Sequence, residues 1–190
     1  MNALSELLNV PKPVKLRVAD FVLLCDSGAF DEYAKSELIE GEILCMNSQW
    51  SRHARAKTNL LVELSLVLRS LTNGLAAISE VSVHLTDDSM PEPDIVLTSY
   101  KGINAVPLAT VALIVEVADA TLANDLGRKA ALYARAGVTE YWVADVEGNV
   151  IHQMWLPGDT GYAGKRELSF GNDIAAKTVP GICVSTRCLL

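Results

Sequence analysis

Residues 111–145 read VALIVEVADATLANDLGRKAALYARAGVTEYWVAD, with an apolar run on either side of a helical pattern. The first run, 111–117, is nearly continuous, which is typical of a central strand buried on both faces of a sheet. Residues 121–136 have the pattern of a helix, and Gly137 is its stop signal. Residues 139–145 follow as the next strand. This stretch predicts a helix packed on a sheet.

The elements outside this stretch predict the remainder of that sheet. After it, short strands separated by turn residues indicate a β-meander. Before it, the predicted elements are a helix at 17–26, a strand or hairpin at 37–46 around Gly41, a helix at 52–71 capped by Ser51, and strands at 75–85 and 94–98. The meander strands are 150–156 and 162–168. This order predicts an α/β (α+β) fold, a mixed central sheet flanked by helices.

Length and composition predict one folded domain over residues 1–190. The chain is 50% hydrophobic and 21% charged, which excludes intrinsic disorder. A chain of 190 residues lies within the range of roughly 100–200 residues that is common for one domain. Residues 1–16 are expected to form an N-terminal arm, and the tail at 178–190 is expected to be an edge segment.

The net charge of −7 argues against a strongly basic nucleic-acid coat protein. It does not exclude a nuclease, because the local charge of a groove matters more than the total. The four cysteines form no CxxC pair, which disfavours a zinc site. The N-terminus lacks the features of a secretory signal and the longest apolar run is too short for a membrane span, so a cytoplasmic protein is expected.

Two acidic residues stand at apolar strands. Glu116 lies between two valines, where a buried carboxylate is costly unless it is paired, hydrogen-bonded or bound to a metal; an exposed strand end is the alternative. Asp94 follows Pro93 and begins the strand DIVL, although a simple turn residue is also possible. If these strands pair, both carboxylates can project from one face, and a divalent cation such as Mg²⁺ would relieve their repulsion.

The helices carry the candidate basic residues. Asp125 and Lys129 have i, i+4 spacing, so they form either a surface ion pair worth ~0.3–0.5 kcal/mol or a site in which Lys129 lies over the carboxylates. His53 falls on one helix face with Lys57, which directs it inward or toward a cleft. There it could contact a phosphate or the attacking water, and a structural role is the alternative.

Basic side chains beside this histidine could bind a DNA backbone, or they could simply be a solvated helix start. The candidates beside His53 are Arg52, Arg55 and Lys57, and Arg128 on the helix at 121–136 is a further candidate for nucleic-acid binding. Tyr141 and Trp142 are expected to pack in the core rather than to stack on bases.

Several segments, in order, resemble the Uma-type restriction-endonuclease family of the PD-(D/E)XK nuclease superfamily. They are ELIEGEI at 37–43, SRH at 51–53, PEPDIVL at 91–97, LIVEVADAT at 113–121 and DLGRKAALYARAGVTEYWVAD at 125–145. The resemblance covers roughly residues 17–156. It implies a restriction-endonuclease-like fold.

The resemblance also implies a catalytic site. Asp94, Glu116 and the main-chain carbonyl of Val117 would bind Mg²⁺, for which Mn²⁺ is expected to substitute. Ala118 stands where the classical motif has its lysine, and Lys129 on the following helix would take that role. Glu42 would be an additional acid near the metal, or else an exposed strand acid.

Two functions follow from these observations. The first is a hydrolase, a Mg²⁺-dependent endonuclease that cleaves DNA phosphodiester bonds by in-line attack and acts as a homodimer. The second is a catalytically silent module on the same fold that binds nucleic acid or another protein.

Overall fold

The structure is a computed structural model of the chain and describes residues 12–190. Most of the expected arm at 1–16 lies outside the described residues. Helix α1 is Val18–Asp26 and helix α2 is Ser51–Ser70. Helix α3 occupies residues 122–136 and consists of Leu122–Asn124, a π-helical turn at Asp125–Lys129, and Ala130–Ala136. Short 3₁₀ turns lie at Leu108–Thr110 and Thr186–Leu189.

The strands form one six-stranded sheet and three small two-stranded sheets. In chain order they are β1 (Lys35–Ile39), β2 (Glu42–Met46), β3 (Ala76–Ser79), β4 (Val83–His84), β5 (Ile95–Thr98), β6 (Val106–Pro107), β7 (Val111–Ala118), β8 (Glu140–Asp145), β9 (Val150–Gly158), β10 (Gly161–Ser169), β11 (Asp173–Ala175) and β12 (Cys183–Ser185). The central order is β10-β9-β8-β7-β5-β3. Strands β7 and β8 are parallel and the other neighbours are antiparallel, so the predicted mixed sheet is confirmed.

The central strands are buried on both faces. On one face, Val115 and Val117 of β7 pack against α2 through Leu60 and Leu64. On the other face, Ile114 of β7 belongs to the core that contains the residues of α3. Because side chains alternate along a strand, Glu116 points to the same face as Ile114, toward α3. The apolar pattern of β7 therefore reflects cover by a helix on each side.

Three local predictions differ from the structure. The expected strand at 75–85 is two strands, because Glu80 adopts a positive φ of 52° between β3 and β4 and the two pair with different partners. Ser51 is the first residue of α2, and Trp50 is its N-cap. The tail at 178–190 contributes β12, which pairs with β11 in a small separate sheet and is not an edge strand of the central sheet.

The start of α2, the π-helical turn of α3 and the ends of β5 and β7 meet at one end of the sheet. Hydrogen bonds from His53 of α2 and Lys129 of α3 converge on the acids of those two strands. Between residues 12 and 190, no helix combines the length and apolarity needed to cross a membrane.

Candidate active site

The two strand acids lie side by side, as the sequence predicts. The antiparallel register pairs Ile95 with Val115, and one further step places Asp94 opposite Glu116. The backbone N–H of Asp94 donates to Glu116 Oε2 over 3.3 Å. Each residue is only 3% exposed, so two carboxylates share a site that is almost closed to solvent.

Asp94 is held by donors from three directions. Its Oδ2 accepts from the backbone N–H of Val117 at 2.8 Å. Its Oδ1 accepts from His53 Nε2 at 3.1 Å and from Gln49 Nε2 at 3.2 Å. Burial alone would raise the pKa of Asp94, but the hydrogen bond and charge of His53, together with Lys35 and the Val117 N–H, outweigh it and hold the pKa well below its usual range.

Glu116 has the opposite tendency. Its Oε1 accepts from Lys129 Nζ at 2.9 Å and from the Tyr133 hydroxyl at 3.0 Å. Burial nevertheless raises the pKa of Glu116 to about 7, with Lys129 opposing the shift and Asp94 adding to it. The pair therefore combines one firmly ionised carboxylate with one that retains a proton more readily.

Lys129 lies in the interior and is not part of a surface ion pair. Its Nζ also donates to Glu37 Oε1 at 3.1 Å, so the ammonium lies between two buried carboxylates. Burial would lower the pKa of Lys129, but Glu116 and Glu37 outweigh it and raise that pKa above its usual value. Asp125 accepts from the Thr121 hydroxyl instead. The π-helical turn that ends at Lys129 widens the helix here, as often happens at functional sites.

Glu37 joins this cluster, whereas the family resemblance implies Glu42 of the same segment. Glu37 accepts from the backbone N–H of Glu92 at 3.0 Å, and Lys35 lies 3.3 Å from the same oxygen, Oε1. Its other oxygen, Oε2, is buried without a hydrogen-bond partner among the described residues.

The structure does not bring Glu42 to the cluster. Its side chain is 51% exposed and pairs with Lys15 and Arg128. The sequence signal that separates the two glutamates is their position in the hairpin. Glu42 directly follows Gly41 of the turn, whereas Glu37 lies farther from the turn along β1. Of the two interpretations of Glu42, the structure therefore agrees with the exposed strand acid, and the prediction of an additional acid near the metal is wrong for this residue.

The predicted basic residues separate onto different sides of the molecule. Lys57 faces the acids with His53, donates to Gln49 and Glu80, and lies 3.9 Å from Asp94. Arg52 points the other way and donates to the carbonyl of Val146.

Arg55 lines a second cleft of about 440 Å³ together with Arg52. Arg128 donates to Glu40, Glu42 and the carbonyl of Ile39, so its guanidinium is engaged by the hairpin of β1 and β2. Tyr141 and Trp142 are fully buried, as expected for core residues.

A cleft of about 750 Å³ lies beside the acids, although neither Asp94 nor Glu116 lines it. Gln49 and His53, both bonded to Asp94, lie in its wall. Lys35 and Lys57 contribute positive charge to the same wall, and Glu92 and Asp119 contribute negative charge. The cleft therefore ends at the side chains that hold Asp94.

The donor set suits a cation such as Mg²⁺. An ionised carboxylate has about four lone-pair positions, and Asp94 and Glu116 each accept three hydrogen bonds, which leaves one position on Asp94 Oδ2 and one on Glu116 Oε2. The N–H and C=O of a strand residue point to the same edge, so the Val117 carbonyl faces Asp94 as its N–H does.

Side chains alone would not complete the coordination of a cation. Residues 12–190 contain no group of three or more His, Cys, Asp or Glu side chains arranged to hold a metal ion. Mg²⁺ commonly binds through one or two carboxylates and completes its shell with water and substrate oxygens, so the arrangement fits that ion.

Comparison with known proteins identifies the fold and the family of this chain. A putative nuclease belonging to DUF820 from Anabaena variabilis has a crystal structure that matches with a TM-score of 0.64, over 98% of this chain and 96% of that chain, at 14% sequence identity. This likeness shows the fold. Residues 18–187 match the model of the Uma2 family, which is described as "Putative restriction endonuclease". The chain therefore belongs to the Uma2 family, while no curated protein matches it.

Proposed function

We propose that this protein is a Mg²⁺-dependent endonuclease that hydrolyses DNA phosphodiester bonds. The observation that carries the proposal is the buried pair of Asp94 and Glu116, opposite each other on neighbouring strands, with Lys129 bonded to Glu116. Membership of a family of putative restriction endonucleases supports the same class of reaction. DNA is the expected substrate, and a homodimer would allow both strands to be cut.

Asp94, Glu116 and the main-chain carbonyl of Val117 would hold the Mg²⁺, and Mn²⁺ would substitute for it. When bound, the ion would act as a Lewis acid toward water and the scissile phosphate. His53 and Gln49 orient Asp94 by donating to its Oδ1, so that Oδ2 stays directed toward the Val117 N–H. Such outer partners normally fix the geometry of metal ligands.

Lys129 would act as a fixed positive charge. Its raised pKa keeps the ammonium protonated at neutral pH, so it is a hydrogen-bond donor and not a general base. From its position on Glu116 it would orient the attacking water and stabilise the negative charge that grows on the phosphoryl oxygens. Glu37 holds the ammonium from the opposite side and limits its movement.

A catalytically silent nucleic-acid-binding or protein-interaction module remains the second candidate. The protein-interaction form of this module is favoured by the guanidinium groups of Arg52 and Arg128, which are both engaged by acceptors of the chain itself. DNA-binding surfaces normally present such groups to phosphates. A silent module has no need to bind Mg²⁺ or Mn²⁺, so metal binding separates the two candidates.

The test is nicking of supercoiled plasmid by purified protein in Mg²⁺, Mn²⁺ or EDTA. Asp94→Asn and Glu116→Gln remove a ligand charge with little change in volume, and both should abolish nicking. Glu42→Gln is the matched control, because it removes an exposed carboxylate away from the cluster and should leave nicking unchanged. Nicking that persists in both site variants would reject the assignment.

A further inference from the structure

The mouth of the cleft carries one large exposed aromatic side chain. Trp50 lines the cleft and is 82% exposed, whereas Trp142 is fully buried in the core. Single exposed apolar residues are common on protein surfaces and need no special explanation. Trp50 is distinguished from the other exposed apolar residues by its place in the same cleft as Gln49 and His53, which contact Asp94.

The backbone of Trp50 is fixed at the start of α2, next in the chain to a residue that contacts Asp94. It is the N-cap of α2, and its carbonyl accepts the first helical bond from Ala54 N–H at 3.1 Å. The preceding residue, Gln49, donates to Asp94, and His53 in the first turn of α2 does the same. Trp50 lines the same cleft as Gln49 and His53, so a nucleotide that enters the cleft next to these two side chains would also meet the indole.

The cleft has the size of a small-molecule pocket. Its volume of about 750 Å³ falls in the range of roughly 300–1,000 Å³ that holds a drug-sized ligand, which is the scale of one or two nucleotides. Asp94 and Glu116 lie behind its wall and are nearly closed to solvent. A single strand can enter such a cleft more readily than an intact duplex.

The charges in the cleft provide little attraction for phosphates. Lys57 is paired with Glu80, and Lys35 is paired with Glu37. Glu92 and Asp119 lie in the same wall. Affinity that depends on neutralising phosphates needs several free Lys or Arg side chains. Stacking of a base on an aromatic ring does not have this requirement, because every base offers a π-face.

We propose that Trp50 stacks on an unpaired base next to the phosphodiester that enters the cleft, so that the substrate is single-stranded or locally unpaired DNA. This inference rests on the proposed function, because it concerns the substrate class of the same site. In a duplex the bases are stacked on one another, and exposing one costs energy that an unpaired strand does not pay.

The test measures binding in EDTA, where cleavage does not occur. The probe is a short oligothymidylate, compared with a hairpin duplex of equal length, and Trp fluorescence and anisotropy are the readouts. The wild type should bind the oligothymidylate more tightly, with quenching of the exposed indole. Trp50→Leu should bind about 5- to 150-fold more weakly and lose the quenching, since stacking on one base accounts for that range.

Two matched variants separate stacking from other effects. Trp50→Phe keeps an aromatic face and should retain most of the affinity. Trp155→Phe changes a partly exposed indole on the meander and should alter neither affinity nor quenching by the oligothymidylate. The thermal midpoints of all variants are measured to confirm that each is folded.

Three results would overturn the inference: no binding of oligothymidylate by the wild type, equal binding by Trp50→Leu, or tighter binding of the duplex. These failures are distinguishable from failure of the proposed function. Nicking that requires Asp94 together with binding that ignores Trp50 rejects only the inference. Binding that requires Trp50 together with nicking that ignores Asp94 rejects only the catalytic assignment.

Discussion

Replacing Lys129 by Met should destabilise the protein strongly. The methionine has nearly the length of the lysine stem, so packing in α3 is largely kept and the main change is loss of the ammonium. That ammonium lies 2.9 Å from Glu116 Oε1 and 3.1 Å from Glu37 Oε1, and both carboxylates are buried. The substitution therefore removes the cation that the two carboxylates share, and among the described residues only Lys35, 3.3 Å from Glu37 Oε1, remains as an ammonium beside them.

The magnitude follows from these two contacts. Hydrogen bonds to charged groups contribute about 1.5–3 kcal/mol each, and removing one partner of a buried ion pair costs about 3–5 kcal/mol. Tyr133 still donates to Glu116, and the Glu92 N–H still donates to Glu37. We therefore expect Lys129→Met to lower the unfolding free energy by about 3–5 kcal/mol, the range for breaking one buried ion pair. For a protein of this size, such a loss lowers the melting temperature by about 6–20 °C.

The loss should depend on pH with a defined sign. Without Lys129, the already raised pKa of Glu116 moves further above its unfolded value. A carboxyl whose pKa is raised in the folded state keeps its proton there, so stability falls as pH rises from the unfolded pKa to the folded one. The difference in unfolding free energy between wild type and Lys129→Met should therefore be larger at about pH 8 than at about pH 5.

Urea denaturation at both pH values measures this difference. Glu37→Gln/Lys129→Met is the matched control, since it removes one of the two carboxylates that Lys129 contacts and should recover part of the lost stability. A loss below about 1 kcal/mol, or one equal at both pH values, would contradict the placement of Lys129 between buried carboxylates. Nicking by this variant has to be measured at a temperature where it is folded.

Two further predictions concern other buried carboxylates. Glu140→Gln should lower the unfolding free energy measured in urea by roughly 3 kcal/mol or more. The reason is that the buried carboxylate accepts hydrogen bonds from Trp142, Gln153, Lys177 N–H and Thr178. An unchanged midpoint of urea unfolding would contradict this role. As pH increases toward the raised pKa of Glu116, the Mn²⁺ affinity measured by calorimetry should increase by up to about tenfold per pH unit, because binding displaces the proton of this carboxyl. An affinity that does not change with pH would contradict Glu116 as a ligand.

Local patterns in the sequence predict much of the sheet and both strand acids. The continuous apolar run of β7 requires cover on both faces, and the structure places α2 and α3 there. Glu116 stands out because a charge within such a run needs a partner. Asp94 follows from strand pairing, because the antiparallel register brings the start of β5 to the end of β7.

The choice between Glu37 and Glu42 illustrates what a pattern cannot resolve. In the hairpin, Glu42 pairs with Ile39, which lies two residues from Glu37, so both glutamates project from the same face. The alternation of side chains along the strands therefore does not distinguish Glu37 from Glu42. Their different depths under the neighbouring elements bury Glu37 against Lys129 and leave Glu42 exposed with Lys15 and Arg128.

Other features of the site depend on contacts between distant residues. A helical period predicts an α-helix through Lys129, and the π-helical turn that accompanies its burial has no counterpart in that period. His53 meets Asp94 across 41 positions of the chain. Side-chain periodicity is a local property that assigns residues to faces, whereas register, packing depth and partner identity arise only when separate elements are brought together.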